Sequence, residues 1–478
     1  MGEHLASADD ALRPAALGKV KNIHFVGIGG SGMSGIAEVM LNQGYAVSGS
    51  DLLQSATIAH LEKMGADVTI GHSSKAVGNS DVLVVSSAVD SSNPEIIAAH
   101  QQRIPVIARA EMLGELMRYK HGIAIAGTHG KTTTTSLIAS IFQAAGLDPT
   151  VVIGGLLNSA GSNAQLGTSQ YFIAEADESD ASFLHLQPLI AVITNIDRDH
   201  ISTYAGDFLN LQNTFVEFTH RLPFYGTAVV CIDDVHVVEI LPRISRPTIT
   251  YGFSEQADVR ATDVRALGRA WEFTVLRRNQ SPAFNVMLPL PGNHNVLNAL
   301  AAIAVALEEG ISDAAINLGL KRYAGVGRRF ETHEKVRFKS VNLTLVDDYG
   351  HHPTEVDAVI ETARAVWPDN RLVLIFQPHR YSRTQDLFDD FLRVLSKADA
   401  LVMLPVYSAG ETPIAGADSR SLARGIRERS GITPVNVESL SEVMEVLPAV
   451  LRDGDVVLVQ GAGNVNQIKQ RILEVDDD

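Results

Sequence analysis

One segment restricts the possible folds of this chain more than any other: an apolar strand that runs directly into a glycine turn and a helix. The residues GIAIA, 122–126, precede the turn, and an amphipathic pattern follows it. This succession is typical of a parallel α/β sheet. The turn has the form GxxGK[ST], with Ile125 where the longer phosphate-loop pattern has its first glycine. Its residues are Gly127, Thr128, His129, Gly130, Lys131, Thr132 and Thr133.

The residue types in this turn suit a polyphosphate. Backbone N–H groups bind phosphate oxygens, Lys131 supplies a cation, and the Thr132 hydroxyl is a ligand for magnesium. The alternative is a capped helix with an incidental lysine. The turn therefore predicts a bound nucleoside triphosphate.

A second glycine turn occurs near the start of the chain. Gly27, Gly29 and Gly32, spaced GxGxxG, follow the strand 22–26 and open a helix, and Asp51 stands nineteen positions after Gly32. Such glycines let the backbone approach a pyrophosphate, while the acid accepts a hydrogen bond from a ribose hydroxyl. The pattern predicts a dinucleotide or another nucleoside diphosphate, and a tight turn without a ligand is the alternative.

Three stretches of the chain alternate short apolar strands with helical segments. The first extends from Asn22 to Val106, the second begins with the strand before Gly127, and the third begins near Gly327. We predict an α/β protein of three domains. These are an N-terminal Rossmann-like parallel sheet at 1–120, a central phosphate-loop domain at 121–326, and a C-terminal Rossmann-like domain at 327–478. Within the central domain, 227–290 is strand-like with few helical windows.

Polar clusters follow two strands of the central domain. Glu175 follows the strand 171–174 in EADESD, and Asp197, Asp199 and His200 follow the strand 189–194 in NIDRDH. Parallel strands end at the edge that carries the phosphate loop, so Glu175 and His200 are candidates to hold magnesium. A solvated loop carboxylate is the alternative for each acid. Three further acids are expected to cap helices or to support the metal ligands from behind: Asp177, Glu178 and Asp180.

Amide and imidazole side chains are concentrated where the helix after residue 290 begins. The segment PGNHNVLN contains His294, Asn295 and Asn298, more polar groups than helix capping needs. Asn295 and Asn298 lie one turn apart on one helical face, where their amides can bind adenine. Ordinary capping is the alternative.

Cationic and aromatic residues cluster on loops of the third domain. They occur in GRRFE from Gly327, DDYGHHP from Asp347 and QPHRYSRT from Gln377. Three such loops in an acidic chain predict a site for phosphate and carboxylate groups. Surface salt bridges are the alternative for any single arginine.

Charge and composition exclude several kinds of partner. With 55 acidic against 39 basic residues the formal charge is −16, which disfavours nucleic acids and anionic membrane surfaces. The one cysteine, Cys231, lies in an apolar run and is predicted to be a buried thiol in a reducing compartment. The first twenty residues do not form a signal peptide and no apolar run could span a membrane. We therefore expect a cytoplasmic protein that binds neither nucleic acid nor membrane.

The motifs of this chain resemble those of the Mur ligase family in identity and order. They are GIGGSGMSG, GTHGKTTTT, EADESD, NIDRDH, PGNHNVLNALAA, RRFE, DDYGHHPTE and QPHRYSRT, and they extend over nearly the whole sequence. The motif GIGGSGMSG narrows the resemblance to those members that join L-alanine to UDP-N-acetylmuramate. The Mur ligases that add later amino acids, and the folylpolyglutamate synthases, lack this glycine turn. Murein-peptide recycling ligases have a related turn and are the main alternative.

The resemblance implies a role for residues in each domain. The UDP part of the sugar substrate is expected at Gly27, Gly29, Gly30, Ser31, Gly32, Asp51, His72 and Ser86. ATP is expected at residues 127–133 and at His294, Asn295, Asn298, Arg328 and Asp348. Metal is expected at Thr132, Glu175 and His200. The amino acid and the reacting groups are expected at Tyr349, His351, His379, Arg380 and Arg383, and the catalytic set is Lys131, Glu175, His200, His379 and Arg380.

The implied reaction is ATP-dependent amide formation between L-alanine and the lactyl carboxylate of UDP-N-acetylmuramate, through an acyl phosphate, in peptidoglycan precursor synthesis. ATP and Mg²⁺, or Mn²⁺, are the implied cofactors, with two metal ions, in a monomer or a homodimer. Related ligases that add later amino acids carry a lysine modified to a carbamate. Here no lysine lies between Lys131 and Lys321, so no carbamylated lysine is expected, and Glu217 is at most a supporting carboxylate.

Two other classes of protein share part of this pattern. An NAD-dependent dehydrogenase accounts for the first glycine turn and Asp51 but leaves Lys131 without a role. A nonenzymatic nucleotide switch or a simple ATPase accounts for the phosphate loop but not for the first turn or the arginine loops.

Overall fold

The computed structural model describes residues 17–86, 89–157, 162–278 and 280–476. They form three β-sheets that alternate with helices, which confirms the predicted α/β class. The first sixteen residues, which include most of the segment tested above for a signal peptide, lie outside this description, as does the Ser31 side chain. Of the helices in the described residues, none combines the length and apolar character that a membrane span requires.

The first sheet is parallel, with the order β3-β2-β1-β4-β5. Its strands are β1 Asn22–Val26, β2 Ala46–Asp51, β3 Asp67–Ile70, β4 Val82–Val85 and β5 Val106–Ala108. The helices are α1 Ser31–Asn42, α2 Ala56–Met64, α3 Pro94–Gln102 and α4 Arg109–Met117. Ile23, Phe25 and Val26 on the central strand are fully buried, as their apolar run predicts. The C-terminal ends of β1, β2, β3 and β4 therefore meet at one edge.

The second sheet has ten strands in the order β15-β14-β13-β12-β11-β10-β6-β9-β7-β8. They are β6 His121–Ala126, β7 Thr150–Leu157, β8 Ser162–Gln165, β9 Tyr171–Glu175, β10 Ile190–Ile193, β11 Thr227–Cys231, β12 Thr248–Gly252, β13 Val259–Leu267, β14 Ala270–Arg277 and β15 Gln280–Leu288. The helices are α5 Lys131–Ala144, α6 Phe208–His220, α7 Val235–Ile240, α8 Asn293–Glu308 and α9 Asp313–Arg322. Strand β6 is flanked by the parallel strands β9 and β10, so their following loops adjoin the phosphate loop.

The third sheet has six strands in the order β16-β17-β21-β18-β19-β20, and only its β16–β17 pairing is antiparallel. The strands are β16 Glu331–Phe338, β17 Val341–Asp348, β18 Leu372–Phe376, β19 Ala400–Met403, β20 Val435–Asn436 and β21 Asp455–Gln460. The helices are α10 Pro353–Val366, α11 Tyr381–Asp386, α12 Phe388–Leu395, α13 Ser419–Ser430, α14 Leu440–Val450 and α15 Asn466–Asp476.

Packing divides the chain into two compact units. The first extends to Thr262 and also contains Val275–Phe284 and Leu297–Ala324. The second contains Asp263–Thr274, Asn285–Val296 and the chain from Gly325 onward. The first sheet and the strands of the second sheet up to β12 thus belong to one compact unit.

Candidate active site

The first glycine turn is held by the end of the neighbouring strand. The carbonyl of Ser50 accepts hydrogen bonds from the N–H groups of Gly27 (2.8 Å) and Ile28 (3.0 Å). Asp51 Oδ2 accepts from the N–H of Gly29 at 2.9 Å, and a Cβ on Gly29 would lie 2.9 Å from that oxygen. Glycine is required at 29 by this close approach. The structure therefore places Asp51 against the turn, which it stabilises through the Gly29 N–H, and its contact with a ribose stays a prediction.

The other residues expected around the sugar nucleotide lie at the same edge. Ser86 directly follows β4, and His72 follows β3 by two residues. Helix α1 begins after Gly30, which has no side chain with which to cap the first N–H groups. Those N–H groups and the turn together suit an anionic ligand.

The buried carboxylate of Glu95, which the sequence did not identify, forms hydrogen bonds with several residues at this edge of the sheet. Glu95 Oε2 lies 3.0 Å from His24 Nε2 and accepts from Ser50 Oγ at 2.7 Å, while Oε1 accepts from the Ser73 N–H at 3.0 Å and lies 3.3 Å from His72 Nδ1. Burial favours the neutral acid, but the hydrogen bonds from His24, Ser50 and Ser73 hold the pKa of Glu95 below its usual value. Glu95 thus orients His72 and, through Ser50, stabilises the end of β2, the strand that carries Asp51.

The phosphate loop is shaped by two close approaches. A Cβ on Gly127, whose φ is +132°, would lie 2.0 Å from Thr194 Oγ1, and one on Gly130, whose φ is +83°, would lie 2.4 Å from Asn298 Oδ1. Any other residue at either position would clash and would strain the backbone. The structure therefore places Asn298 against the phosphate loop, and its contact with adenine stays a prediction.

The loop after β10 binds the phosphate loop along its length. Thr194 Oγ1 donates to the carbonyl of His129 at 2.6 Å, and the Asp197 N–H donates to Thr128 Oγ1 at 2.9 Å. His129 Nε2 lies 3.1 Å from Asp197 Oδ2. Asp197 thus stabilises the loop conformation, whereas Asp199 accepts from the N–H of His200 at 2.9 Å.

Lys131 is engaged within the loop. Its Nζ donates to the carbonyls of Gly127 (2.6 Å) and Thr128 (3.1 Å) and lies 2.8 Å from Glu178 Oε2. Burial raises the pKa of Glu178 to about 7, against the attraction of Lys131. Glu178, given only a supporting role by the sequence, is the direct ionic partner of the phosphate-loop lysine. Asp180 Oδ1 accepts a hydrogen bond from the N–H of Ser182, although Ala181 is the residue at the N-cap of the short helix that begins there.

The three expected metal ligands occupy neighbouring segments. Thr132 is buried in the first turn of α5, Glu175 ends β9 opposite Ile125 of β6, and His200 follows β10 with φ +54°. A Cβ on Gly154 would lie 2.9 Å from Glu175 Oε2, so glycine there makes room for the carboxylate. A hydroxyl, a carboxylate and an imidazole make a donor set that suits a divalent cation which retains water.

The other two α8 residues predicted to bind ATP, His294 and Asn295, are engaged within the protein near the start of the helix. Asn295 is buried and its Nδ2 donates to the carbonyl of Pro291 at 2.7 Å, a local bond that stabilises the start of the helix. Burial and the Arg329 guanidinium lower the pKa of His294 to about 4, so its imidazole is neutral near pH 7.

In the second unit, Arg328 and Asp348 make internal contacts. Asp348 accepts from the N–H groups of Phe330 (2.9 Å) and Gly350 (2.7 Å), and burial raises its pKa to about 6. Arg328 donates to the carbonyl of Gly461, and its guanidinium lies 5.1 Å from the centre of the Tyr349 ring. Asp348 therefore joins the segment before β16 to the loop after β17, and Arg328 joins the segment before β16 to the residue after β21.

The aromatic and cationic residues of the second unit form one cluster. His351 lies 5.4 Å from His379 and 5.5 Å from Tyr349, measured between ring centres. Arg383 Nη1 lies 3.3 Å from His379 Nδ1, while Arg380, with φ +70°, lies 4.0 Å from Glu411. The structure thus brings together residues from the motifs DDYGHHP and QPHRYSRT.

Comparisons with known proteins agree with this architecture. The profile of the Mur ligase family catalytic domain matches residues 22–121, that of the Mur ligase middle domain matches 125–306, and that of the Mur ligase glutamate ligase domain matches 328–463. The three matches together extend over most of the chain.

The chain belongs to the Mur ligase family. As a Mur ligase it has the three-domain α/β architecture of that family and is an ATP-dependent, amide-forming ligase.

Solved structures of other Mur ligases are similar over nearly the same length. UDP-N-acetylmuramate-alanine ligase MurC from Thermotoga maritima is 28% identical with a TM-score of 0.79, over 95% of this chain and 98% of that one. The murein peptide ligase of Psychrobacter arcticus, 24% identical with a TM-score of 0.71 over 95% and 98%, shows the same fold. UDP-N-acetylmuramate:L-alanyl-γ-D-glutamyl-meso-diaminopimelate ligase from Neisseria meningitides is 29% identical with a TM-score of 0.60, over 65% of this chain and all of that one.

Proposed function

We propose that this Mur ligase joins L-alanine to the lactyl carboxylate of UDP-N-acetylmuramate, with ATP converted to ADP and phosphate. The observation that carries the proposal is the presence of two nucleotide-type glycine turns, each at the C-terminal edge of its own sheet and only the second with a lysine. Two turns of this kind suit a sugar nucleotide and a triphosphate. Similarity to the Thermotoga maritima enzyme over 95% of the chain supports the choice of substrates.

In this proposal the first sheet, within 1–120, binds the UDP part and the central domain, 121–326, binds ATP. The turn at Gly27 and the N–H groups of α1 face the diphosphate, with His72, held by Glu95, and Ser86 at the same edge. The loop at Gly127 and Lys131 takes the triphosphate, and Asn298 lies against that loop. The domain of 327–478 supplies the cationic cluster at His379.

Magnesium fits the donor set described above. Thr132, Glu175 and His200 would hold it, and two such ions are proposed for the family reaction. When bound, the metal neutralises phosphate charge and polarises the γ-phosphoryl group. Glu217 is not part of this set, because it forms an exposed ion pair with Arg221 at 2.8 Å.

The chemistry follows from the difficulty of condensing a carboxylate with an amine in water. Attack of the lactyl carboxylate on the γ-phosphorus displaces ADP; it brings two anions together, and Lys131 offsets their repulsion. The neutral amine of L-alanine then adds to the carbonyl of the acyl phosphate, and the tetrahedral intermediate loses the amine proton and expels phosphate to give the amide. Cations such as Arg380 and Arg383 would stabilise its negative charge.

A murein-peptide recycling ligase is the second candidate, because 29% identity to the Neisseria enzyme supports it. The two candidates differ in the amine donor, a single amino acid or a tripeptide. Purified protein with ATP, Mg²⁺ and UDP-N-acetylmuramate should be offered L-alanine, glycine, L-serine and the tripeptide in separate reactions, and the products weighed by mass spectrometry. We expect the L-alanine adduct to dominate, and a tripeptide adduct alone would establish the alternative.

A further inference from the structure

Arg109 is an arginine that no sequence motif distinguishes, yet it lies against the first glycine turn. It is the first residue of α4, directly after β5. A Cβ on Gly32 would lie 2.7 Å from Arg109 Nη1 and 3.2 Å from its Cζ. The absence of a side chain at Gly32 therefore creates the space that the guanidinium occupies.

This guanidinium lies beside the positive end of a helix. Gly32 is the second residue of α1, whose first turn carries the positive end of the helix dipole and contains no acidic residue. An anion bound between the guanidinium and the helix N-terminus is attracted by both, and the turn is the proposed place of the diphosphate.

One acid from the central sheet holds Arg109 in this position. Arg109 Nη2 lies 3.4 Å from Asp177 Oδ2, and Asp177 Oδ1 accepts from the N–H of Ser179 at 3.0 Å. Asp177 is therefore fixed on its own loop, with its second carboxylate oxygen directed at the Arg109 guanidinium.

Helix α4 makes a second contact with the same segment. A Cβ on Gly114 would lie only 2.6 Å from the carbonyl oxygen of His185, which ends the short 3-10 helix Ser182–His185 after EADESD. The backbone of α4 thus packs directly on the segment that carries Asp177. The ion pair belongs to a tight contact and is not an isolated surface pair.

We propose that Arg109 binds the diphosphate of the sugar nucleotide and that Asp177 is a positioning residue that holds Arg109 over the first glycine turn. The inference rests on the proposed function, since it takes the sugar nucleotide as the ligand of that turn. Asp177 then serves the sugar nucleotide, although it belongs to the motif that supplies Glu175 to the triphosphate site.

The test separates the two nucleotides. Dissociation constants for UDP-N-acetylmuramate and for ATP, each measured alone by calorimetry, and both KM values should be determined for Arg109→Ala, Arg109→Lys, Asp177→Asn and the double variant Arg109→Ala/Asp177→Asn. Arg118→Ala is the matched control, because Arg118 follows the last residue of α4 and forms an exposed pair with Glu115.

We expect Arg109→Ala to raise the dissociation constant for UDP-N-acetylmuramate about 10-fold or more, which is the effect of losing a hydrogen bond to a charged group. Asp177→Asn should weaken it about 3-fold or more, with ATP affinity within about 2-fold of wild type, and the double variant should be no worse than Arg109→Ala alone. Arg109→Lys should recover part of the loss, since it retains the charge without the fork geometry. Arg118→Ala should match wild type.

Three results would decide against the inference. If Asp177→Asn weakens the binding of ATP and not of UDP-N-acetylmuramate, Asp177 does not act through Arg109. The same conclusion follows if the two substitutions have additive effects on the binding of UDP-N-acetylmuramate. If Arg109→Ala and Arg109→Lys both bind UDP-N-acetylmuramate as tightly as wild type, Arg109 is not a ligand-binding residue. A wild-type protein that binds no UDP-N-acetylmuramate would instead overturn the proposed function.

Discussion

Lys131 Nζ lies 2.8 Å from Glu178 Oε2, and the Glu178 carboxylate is buried. The lysine that would contact a triphosphate therefore already has a carboxyl partner within the protein, and burial raises the pKa of that partner to about 7. A triphosphate must replace Glu178 as the ionic partner or share the ammonium group with it. Either way, the charge that stabilises the reaction is already oriented, because two loop carbonyls also accept from Lys131.

The Lys131–Glu178 pair predicts a specific pattern of stability. At pH 8, above the Glu178 pKa of about 7, Lys131→Ala leaves the buried Glu178 carboxyl without its cation, so we expect a loss of roughly 3 kcal/mol in unfolding free energy and a lower Tm. The double variant Lys131→Ala/Glu178→Gln replaces that carboxyl with a neutral amide and should recover most of the loss at the same pH. Scanning calorimetry of the three proteins measures this, and a double variant no more stable than Lys131→Ala would contradict the pairing.

Lys131→Ala and Lys131→Ala/Glu178→Gln should differ in stability but should both lose activity. Ligation should fall by more than about 10-fold in both, a barrier increase above roughly 1.4 kcal/mol, because neither has a cation at the γ-phosphate. Binding of UDP-N-acetylmuramate should be retained, since its site lies on the other sheet. Turnover above a tenth of wild type in either variant would mean that Lys131 has another role.

Asp51 and Asn298 should affect different nucleotides. Asp51 holds the first turn through the Gly29 N–H, whereas Asn298 packs on Gly130 of the phosphate loop. We expect Asp51→Ala to weaken UDP-N-acetylmuramate and Asn298→Ala to weaken ATP, each with little effect on the other ligand. Titration calorimetry of the free enzyme tests this, and impairment of the same nucleotide by both substitutions would refute the division between the sheets.

Bicarbonate should not affect turnover. No lysine is available between Lys131 and Lys321 to form a carbamate, and Glu217 on α6 is occupied by Arg221 at the surface. Activity should be equal in buffer stripped of carbon dioxide at slightly acidic pH and in buffer supplemented with bicarbonate, and Glu217→Ala should match wild type. A loss restored by bicarbonate would show that an anionic bridge is needed.

His294 should make the second unit sensitive to acid. Its pKa is about 4 in the folded protein, mainly because of burial, and near 6.5 when unfolded. Between these values the unfolded chain binds more protons, so His294 lowers stability as the pH decreases from about 6.5 to about 4. We expect His294→Asn to become more stable relative to wild type by roughly 2–3 kcal/mol between pH 7.5 and pH 4.

Tryptophan fluorescence provides the measurement, because both tryptophans, Trp271 and Trp367, lie in the second unit. Urea unfolding of wild type and His294→Asn at the two pH values gives the difference in unfolding free energy. A difference that does not change with pH would show that the folded histidine titrates normally.

Much of this fold is predictable because its sheets are built from apolar runs. Strands such as 23–26 and 372–376 are buried, so their sequences are mostly apolar and indicate strands clearly. Strand β16 is not evident from the sequence, because charged residues interrupt it in ETHEKVRF and its register shifts between His333 and Val336. Helix α7 interrupts the stretch 227–290, which the sequence predicts to be strand-like, because this helix is short and rich in β-branched valine. Burial of Cys231 in β11 is confirmed and raises the pKa of its thiol to about 12.

Some residues of the candidate site could be identified from the sequence and others could not. Gly127, Gly130 and Asp51 were identified because turn geometry restricts residues at fixed local spacing. Glu95 and Arg109 were not, because their partners lie 71 and 68 positions away in the sequence and a single chain gives no sign of such pairs. For Glu178 the sequence could not distinguish a capping acid from one that turns inward to Lys131.

The most direct test of the account is ADP release measured with each substrate omitted in turn. The account predicts release that requires both UDP-N-acetylmuramate and an amino acid, is greatest with L-alanine, and is lost in Lys131→Ala. Release that continues without the sugar nucleotide and the amino acid would indicate an ATPase or a switch, and no release under any combination would contradict the proposed ligation.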